Sequence, residues 1–537
     1  MLLPARGKSP FASLGPGTSL ARMSEIANEH DSEAIAALAG VCHRTLCCEG
    51  PAIRFEGAWI GWDAIRALAA SLDTALERAG VARDAPVAFA PRNSPASLAA
   101  FLPLLGSGRR IRMLYPFQSG EALAGQLAAT GAAALVMEAR DFCAPVVAEL
   151  QARGMAGIAL PGDGTLSGEG AAVLEGAASC TTAGTSGAPA IEILTSGTTG
   201  QPKPFAIGHR VVLGYVRQGE ALANARAAGA RAHDPPPTLL CFPLSNISGL
   251  YSLAMSFLRG APVVLLERFS VAAWRDYVVE YRPAAGGAPP AALAMILEQG
   301  IAREDLASLA SFSTGAAPVD PAVRQRFEET YGIPVLQTYG ATEFGGPVTA
   351  MSLDLLREFG ADKAQSVGRP FGGARLRIRR EADGALAAAG EVGLVEVVSP
   401  RMGPEWIATS DLGLLDGDGF LFLRGRADGA VMRGGFKIVP ETVEQVLRAH
   451  PQVAEACLVG LPDERLHELP VAAVVPRDRA APPSIEALDA HARQHLAATQ
   501  VPARWALVDA LPRTVSFKTD RAAVRALCAA QAVSPCR

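Results

Sequence analysis

Between about residues 52 and 365 the chain alternates short apolar runs with longer amphipathic stretches. The runs PVAFA (86 to 90), AALVM (133 to 137) and APVVLLE (261 to 267) have the length and continuous apolarity of buried strands. Between them, 63 to 80 and 323 to 332 repeat apolar positions at helical spacing, and Gly80 ends the first as a C-cap. Strands alternating with helices predict α/β units around largely buried sheets. Residues 161 to 190, rich in Gly, Ser, Ala and Thr, read as a loop leading into the next strand.

Near residue 366 the pattern changes. ARLRIRR (374 to 380) alternates apolar residues with arginine, EVGLVEVVSP (391 to 400) is strand-like, and DGDG (416 to 419) precedes another β run. The DGDG has no glutamate at the later position a calcium loop needs, so it reads as a hairpin turn. From about 429 an αβ pattern resumes, with a helix near 439 to 447, strands over 453 to 460 and 470 to 476, and helices over 485 to 499 and 521 to 532. The expected architecture is α/β. Residues 1 to 50 form a tail and lead-in, 51 to 427 a large N-terminal domain of α/β sheets with a β-rich subdomain over 366 to 427, and 428 to 537 a small α+β C-terminal domain.

Composition narrows the function. The 537 residues carry 49 basic and 53 acidic side chains, a formal charge of −4, with mean hydropathy +0.20. No basic run could neutralise a nucleic-acid backbone, and no apolar run approaches the roughly 18 residues of a membrane span. Neither nucleic acid nor membrane is an expected partner. Pro and Gly interrupt residues 1 to 24 where an export signal needs an unbroken apolar stretch, so a cytoplasmic location is expected. A second methionine, Met23, is an alternative start. The nine cysteines are odd in number and contain no CxxC pair, which argues against a disulfide framework or a zinc site. Only five basic residues are lysines, and Lys203, Lys437 and Lys518 fall in the motifs below. In an arginine-rich chain a retained lysine points to a need for a compact, rotatable ammonium.

ILTSGTTGQPKP (193 to 204) ends a strand and then offers backbone N–H and hydroxyl groups to phosphate oxygens, with Lys203 supplying charge. Pro202 stands where a Walker loop needs glycine, so the loop is of another type. QTYGATE (337 to 343) follows a strand-like run and joins an aromatic ring to a carboxylate suited to Mg²⁺. With Thr195, Ser196, Gly197, Thr198, Thr199, Gly200, Pro202 and Lys203 matching the hallmark loop TSGTTGxPK, the chain resembles the adenylate-forming enzymes. These include acyl- and aryl-CoA ligases, peptide-synthetase adenylation domains and firefly luciferase.

The resemblance implies further roles. Tyr339 stacks on adenine beside Gly340, Thr342 touches phosphates with Thr198, and Glu343 binds Mg²⁺. GAAP (315 to 318) resembles the segment flanking the adenine and acyl pocket, bringing in Gly315, Ala316 and Ala317. TSDLG and GRAD resemble segments in which Asp411 accepts from ribose hydroxyls, Arg426 contacts ribose or phosphate, and Asp428 is the hinge. GGFKIVPETVE (434 to 444) resembles the segment opening the small domain. In PRTVSFKTDR (512 to 521), Lys518 bridges the attacking carboxylate and the α-phosphate. The implied reaction is ATP-dependent formation of an acyl-adenylate, then attack by a thiol of CoA or of carrier-protein phosphopantetheine, the small domain rotating between the steps. An acyl carrier protein is thus a possible partner beside the small-molecule acid.

Four positions depart from the family pattern. Ser245 and Asn246 replace an aromatic-His pair, Ser410 replaces a glycine, and Phe517 replaces the glycine before the catalytic lysine. Ile247 stands where amino-acid-activating relatives hold an aspartate, which argues against an amino acid substrate because an unpaired ammonium is costly to bury. The expected acyl pocket involves Asn246, Ile247, Gly249, Ser313, Gly315, Gly340, Phe344 and Gly345, with Gly345 and Gly346 leaving space. It suits an uncharged aromatic or medium aliphatic acid. A degenerate homologue that only binds nucleotide is the alternative of another class.

Overall fold

The computed structural model describes residues 20–162, 166, 170–175, 190–195, 203–229, 235–317, 319–427, 429–433, 436–463, 467–496, 498–514, 518–530, 534 and 535. Side chains are described for all of these except 20–31, 190, 195, 203, 225–229, 436, 437, 467, 534 and 535.

A seven-stranded sheet anchors the first half of the chain. Its order is Ala172–Val173, Ala156–Leu160, Ala134–Glu138, Val87–Ala90, Ile111–Met113, Ala190–Thr195, Lys203–Gly208, with the five inner strands parallel. Successive side chains of a strand face opposite layers. Val87 and Phe89 therefore enter one core with helices Trp62–Arg78 and Pro95–Gly106, while Ala88 enters another under Gly120–Ala128 and Ala144–Arg153. Burial on both faces explains why these strands read as continuous apolar runs. Helix Trp62–Arg78 ends as its sequence predicts, because Gly80 adopts φ +74° and Val81 N–H reaches back to the Leu76 carbonyl at 3.0 Å. The residues read as a lead-in contain a helix, Leu20–Leu46, whose Leu38, Val41 and Cys42 pack into the first of these cores.

A four-stranded sheet (Thr238–Leu240, Val263–Leu265, Pro51–Phe55, Ala58–Gly61) adjoins a five-stranded one along the chain. The latter runs Ala285–Gly287, Ser311–Thr314, Val335–Ala341, Gly346–Ala350, Arg369–Pro370, parallel in its first three strands and antiparallel after. The antiparallel sheet Arg375–Arg379, Gly393–Val398, Ile407–Leu415, Leu421–Arg426 accounts for the altered pattern after residue 366. Its last hairpin turns at Asp416 to Gly419, as the DGDG predicts, and both aspartates hold Lys363 at 2.6 and 2.7 Å.

The C-terminal sheet is centred on the long pair Val453–Asp463 and His467–Pro476, backed by helices Pro440–Arg448, Ile485–His495 and Arg521–Ala530. It meets the rest of the molecule at several described points, including the backbone N–H of Arg426, which donates to the Glu441 carboxylate. Arg448 donates Nε–H to Asp320 at 2.7 Å, and Asp320 also caps helix Pro321–Tyr331. Gly425, at φ +116°, lies against Glu441, where a β-carbon would come within 2.7 Å of the carboxylate. Among the described residues no helix is long and apolar enough to cross a membrane, and all seven cysteines there are free.

Candidate active site

The glycine-rich loop joins two antiparallel strands. Thr195 ends one and pairs with Lys203, which begins the other, so the two ends of the loop are held side by side at the sheet edge. Ser196, Gly197, Thr198, Thr199, Gly200 and Pro202 lie outside the described residues, as do Pro318, Asp428, Gly434, Gly435 and Phe517.

The QTYGATE segment is the end of strand Val335–Ala341, running into a single 3₁₀ turn, Thr342–Phe344. The chain then reverses through Gly345 at φ +63° and Gly346 at φ +101° into strand Gly346–Ala350. A β-carbon at Gly340 would stand 2.5 Å from Pro347 Cα, so only glycine permits this close crossing. The neighbouring strand delivers Ser313, Gly315, Ala316 and Ala317 to the same end of the sheet. Gly315 is equally constrained, its missing β-carbon falling 2.3 Å from Thr338 Oγ1. Ala316 holds φ +70°, a left-handed conformation that costs a non-glycine residue roughly 1–2 kcal/mol. Strain of this kind collects at functional sites.

Asp411 and Arg426 face each other across neighbouring strands and meet Tyr339 from the other sheet. The Tyr339 hydroxyl donates to Asp411 Oδ2 at 2.5 Å, and Arg426 donates to Asp411 Oδ1 at 3.3 Å and to Ser410 Oγ at 2.5 Å. Burial and the Asp411 charge push the Tyr339 hydroxyl well above the ordinary phenol range, so it remains a proton donor. Ser410, a departure from the family pattern, thus supplies Arg426 with an acceptor that glycine lacks.

Lys518 comes from the C-terminal domain, on a hairpin closed by an Arg513–Thr519 bridge and by Thr514 N–H donating to the Lys518 carbonyl at 2.7 Å. Its side chain keeps solvent contact yet lies among enough protein to lose hydration. That desolvation and the Arg426 guanidinium lower its pKa from the usual lysine value, while Asp411 and Glu343 pull the other way. The structure therefore gathers Tyr339, Asp411 and Arg426 from two sheets, Glu343 from the turn that follows one of them, and Lys518 from the C-terminal hairpin.

The acyl side differs from expectation in two respects. Phe344 does not line a cleft: it is 1% exposed and packs edge-on against Tyr339 in a core with Ile378, Val395 and Val397. Gly345 leaves no free space either, because a β-carbon there would meet Met402, Val211 and Tyr215 within 3.0 to 3.4 Å. Sequence shows a small residue but not what already fills the room beside it. Gly249 is needed for close approach, its missing β-carbon falling 2.1 Å from the Pro243 carbonyl oxygen. Asn246 stands at the N-cap of helix Ile247–Met255 without capping it, and Ser245 Oγ is buried with no hydrogen-bond partner among the described residues. Asn93 was not legible as a site residue. Its amide bonds to Phe242 O, Leu266 O and Leu244 N–H, holding the segment that leads to Asn246.

Comparison with known proteins agrees with this geometry. The family model for AMP-binding enzymes matches residues 44–405, and that for the AMP-binding enzyme C-terminal domain matches 442–518. The chain belongs to the AMP-binding enzyme family. Among its relatives, a fatty acid–[acyl-carrier-protein] ligase of Streptomyces coeruleorubidus is 31% identical over 357 residues, covering 63% of this chain and 67% of that one. The 2-succinylbenzoate–CoA ligase of Bacillus subtilis (strain 168) is 32% identical over 349 residues, covering 62% and 68%. A solved structure of O-succinylbenzoate coenzyme A synthetase from Bacillus subtilis with ATP and magnesium ion superposes with TM-score 0.71 at 25% identity, covering 90% of this chain and 98% of that one. As a member of this family of AMP-forming ligases, the protein activates a carboxylic acid as its acyl-adenylate and makes a thioester from it.

Proposed function

We propose that this AMP-binding enzyme joins an uncharged aromatic or medium aliphatic acid to CoA, in the cytoplasm where ATP and CoA are supplied. The observation that carries the site assignment is the position of Lys518, whose ammonium feels the charges of Glu343, Asp411 and Arg426 although it belongs to the other domain. Asp411 holds the ribose hydroxyls, Tyr339 packs on adenine, Arg426 and Thr342 contact ribose and phosphate, and the hydroxyl and backbone N–H groups of the TSGTTGQPK sequence serve the remaining phosphate oxygens. In-line attack of a carboxylate on the α-phosphate brings two anions together, so the site must supply positive charge along that line. Lys518 does so from one side.

Among the described residues no group of three or more His, Cys, Asp or Glu side chains stands ready for a metal. Mg²⁺ instead commonly takes one carboxylate with substrate phosphates and water, and Glu343 fits that pattern. The bound ion would offset phosphate charge. Rotation about Asp428 then withdraws Lys518 and admits the thiol. A carrier-protein phosphopantetheine is the second acceptor, favoured by the acyl-carrier-protein ligase among the relatives.

The test is pyrophosphate release from ATP and Mg²⁺ with a panel of acids, first with hydroxylamine and then with CoA. Acid-dependent release and an acyl-CoA product are expected. Release with hydroxylamine but no acyl-CoA would shift the acceptor to a carrier protein, and no release with any acid would overturn the proposal.

A further inference from the structure

The turn behind Glu343 is held by three side chains that no sequence motif picks out. Ser399 donates its hydroxyl to the Phe344 carbonyl at 2.6 Å, Tyr215 donates to the Gly345 carbonyl at 2.6 Å, and Arg401 Nη1 donates to the Pro347 carbonyl at 2.8 Å. Those carbonyls belong to three of the four residues after Glu343. The donors arrive from two distant segments, helix His209–Gly229 and the residues following strand Gly393–Val398.

Such convergence answers a physical need. Gly345 and Gly346 occupy positive φ, where glycine is conformationally free, so the turn has little stiffness of its own. Carbonyls buried beside it without donors would favour other backbone arrangements. Tyr215 and Ser399 are almost fully buried, which excludes competing water, and burial holds the Tyr215 hydroxyl in its protonated, donating form. Arg401 is itself steadied, its second Nη at 3.3 Å from Gln218 Oε1 and its guanidinium 5.8 Å from the Tyr215 ring. Tyr215 in turn packs edge-on against Tyr251.

We propose that Tyr215, Ser399 and Arg401 are positioning residues that aim the Glu343 carboxylate by clamping the carbonyls of the turn that follows it. This rests on the reading of Glu343 as the Mg²⁺ ligand and adds the residues that set its direction. None of the three touches substrate in this scheme.

The experiment compares Tyr215→Phe, Ser399→Ala and Arg401→Met with the wild-type full chain, using Arg401→Lys as the conservative control that keeps a donor. Two quantities are read: kcat and KM for acid-dependent pyrophosphate exchange, and the Mg²⁺ concentration that half-saturates thermal stabilisation by ATP in the absence of acid. Misaiming one ligand predicts a fall in kcat of about tenfold, with KM for the acid within about twofold. The Mg²⁺ midpoint should rise in Tyr215→Phe and Arg401→Met and return toward wild type in Arg401→Lys. A lower melting temperature with unchanged kcat and Mg²⁺ midpoint would reduce the clamp to a fold-stabilising contact and overturn the proposal. A change confined to KM for the acid would overturn it too, making the turn a pocket wall. If the wild type exchanges pyrophosphate with no acid, the functional reading fails on its own, and the Mg²⁺ midpoints still decide the clamp.

Discussion

The two halves of the site are built to different standards of rigidity. On the large-domain side, Tyr339, Asp411, Arg426 and Ser410 form a closed hydrogen-bond network between two sheets, each member on or beside a strand. On the small-domain side, Lys518 rides a short hairpin, and its link to the same cluster is electrostatic. Direct ties between the domains run through helix Pro440–Arg448. The partly buried ion pair Arg448–Asp320 is one, and the Gly425–Glu441 approach is another. On the proposed roles, a nucleotide seat must be accurate, so its cross-links fit, and a lysine that serves one half-reaction and not the other must be able to leave.

The sharpest way to break this comparison is Lys518→Ala. Loss of one preorganised cationic donor typically costs on the order of 10²–10³ in rate, and adenylation should fall by at least that much. Thioester formation from supplied acyl-adenylate should stay near wild type; equal loss in both half-reactions would mean the mobile half does not act as described. Asp411→Ala attacks the rigid half. It strips acceptors from Tyr339 and Arg426, so the KM for ATP should rise steeply, and a buried tyrosine hydroxyl without its partner should cost about 1–3 kcal/mol in unfolding. Unchanged ATP affinity would detach Asp411 from nucleotide binding.

The pH profile separates the halves without a mutation. In the proposed role Lys518 must be charged, and its pKa is depressed by desolvation and Arg426. Adenylation should therefore be full below that pKa and fall as pH rises through it, starting below the ordinary lysine value of roughly 10.4. Thioester formation from acyl-adenylate should lack that limb. An adenylation profile flat into the ordinary lysine range would contradict the crowded position of the ammonium. The smallest effect is expected from Arg448→Ala. An ion pair still in contact with solvent is worth about 0–1 kcal/mol, so adenylation should drop less than fivefold while the thioester step holds or gains. Equal slowing of both steps would show that the pair supports folding and not domain orientation.

Much of this was legible along the chain. Strand and helix periodicities located the large-domain sheets, because strands buried on both faces are continuously apolar and Gly80 had to end its helix. Motif spacing nominated Tyr339, Glu343, Asp411, Arg426 and Lys518. The errors share one cause. Phe344 and Gly345 were assigned to a pocket by their nearness in sequence to Glu343, but the side a residue faces is set by what packs there, here Val395 and Val397 for one and Met402, Val211 and Tyr215 for the other. The helix Leu20–Leu46 was missed because its first turns carry polar residues and follow a Pro- and Gly-rich stretch.

What the sequence determined by itself was local: the order of elements, the turns that demand glycine, and the chemical groups available to an adenylating site. Periodicity and residue type act over a few neighbours, so they survive being read in one dimension. Only the tertiary structure decided that Tyr339 donates to a carboxylate 72 residues away. It alone made Ser410 the acceptor for Arg426, and brought Tyr215, Ser399 and Arg401 together on the carbonyls behind Glu343. An arginine among dozens carries no mark of its partner until the fold closes around it, because hydrogen bonds form between atoms brought within about 3 Å, whatever their separation along the chain.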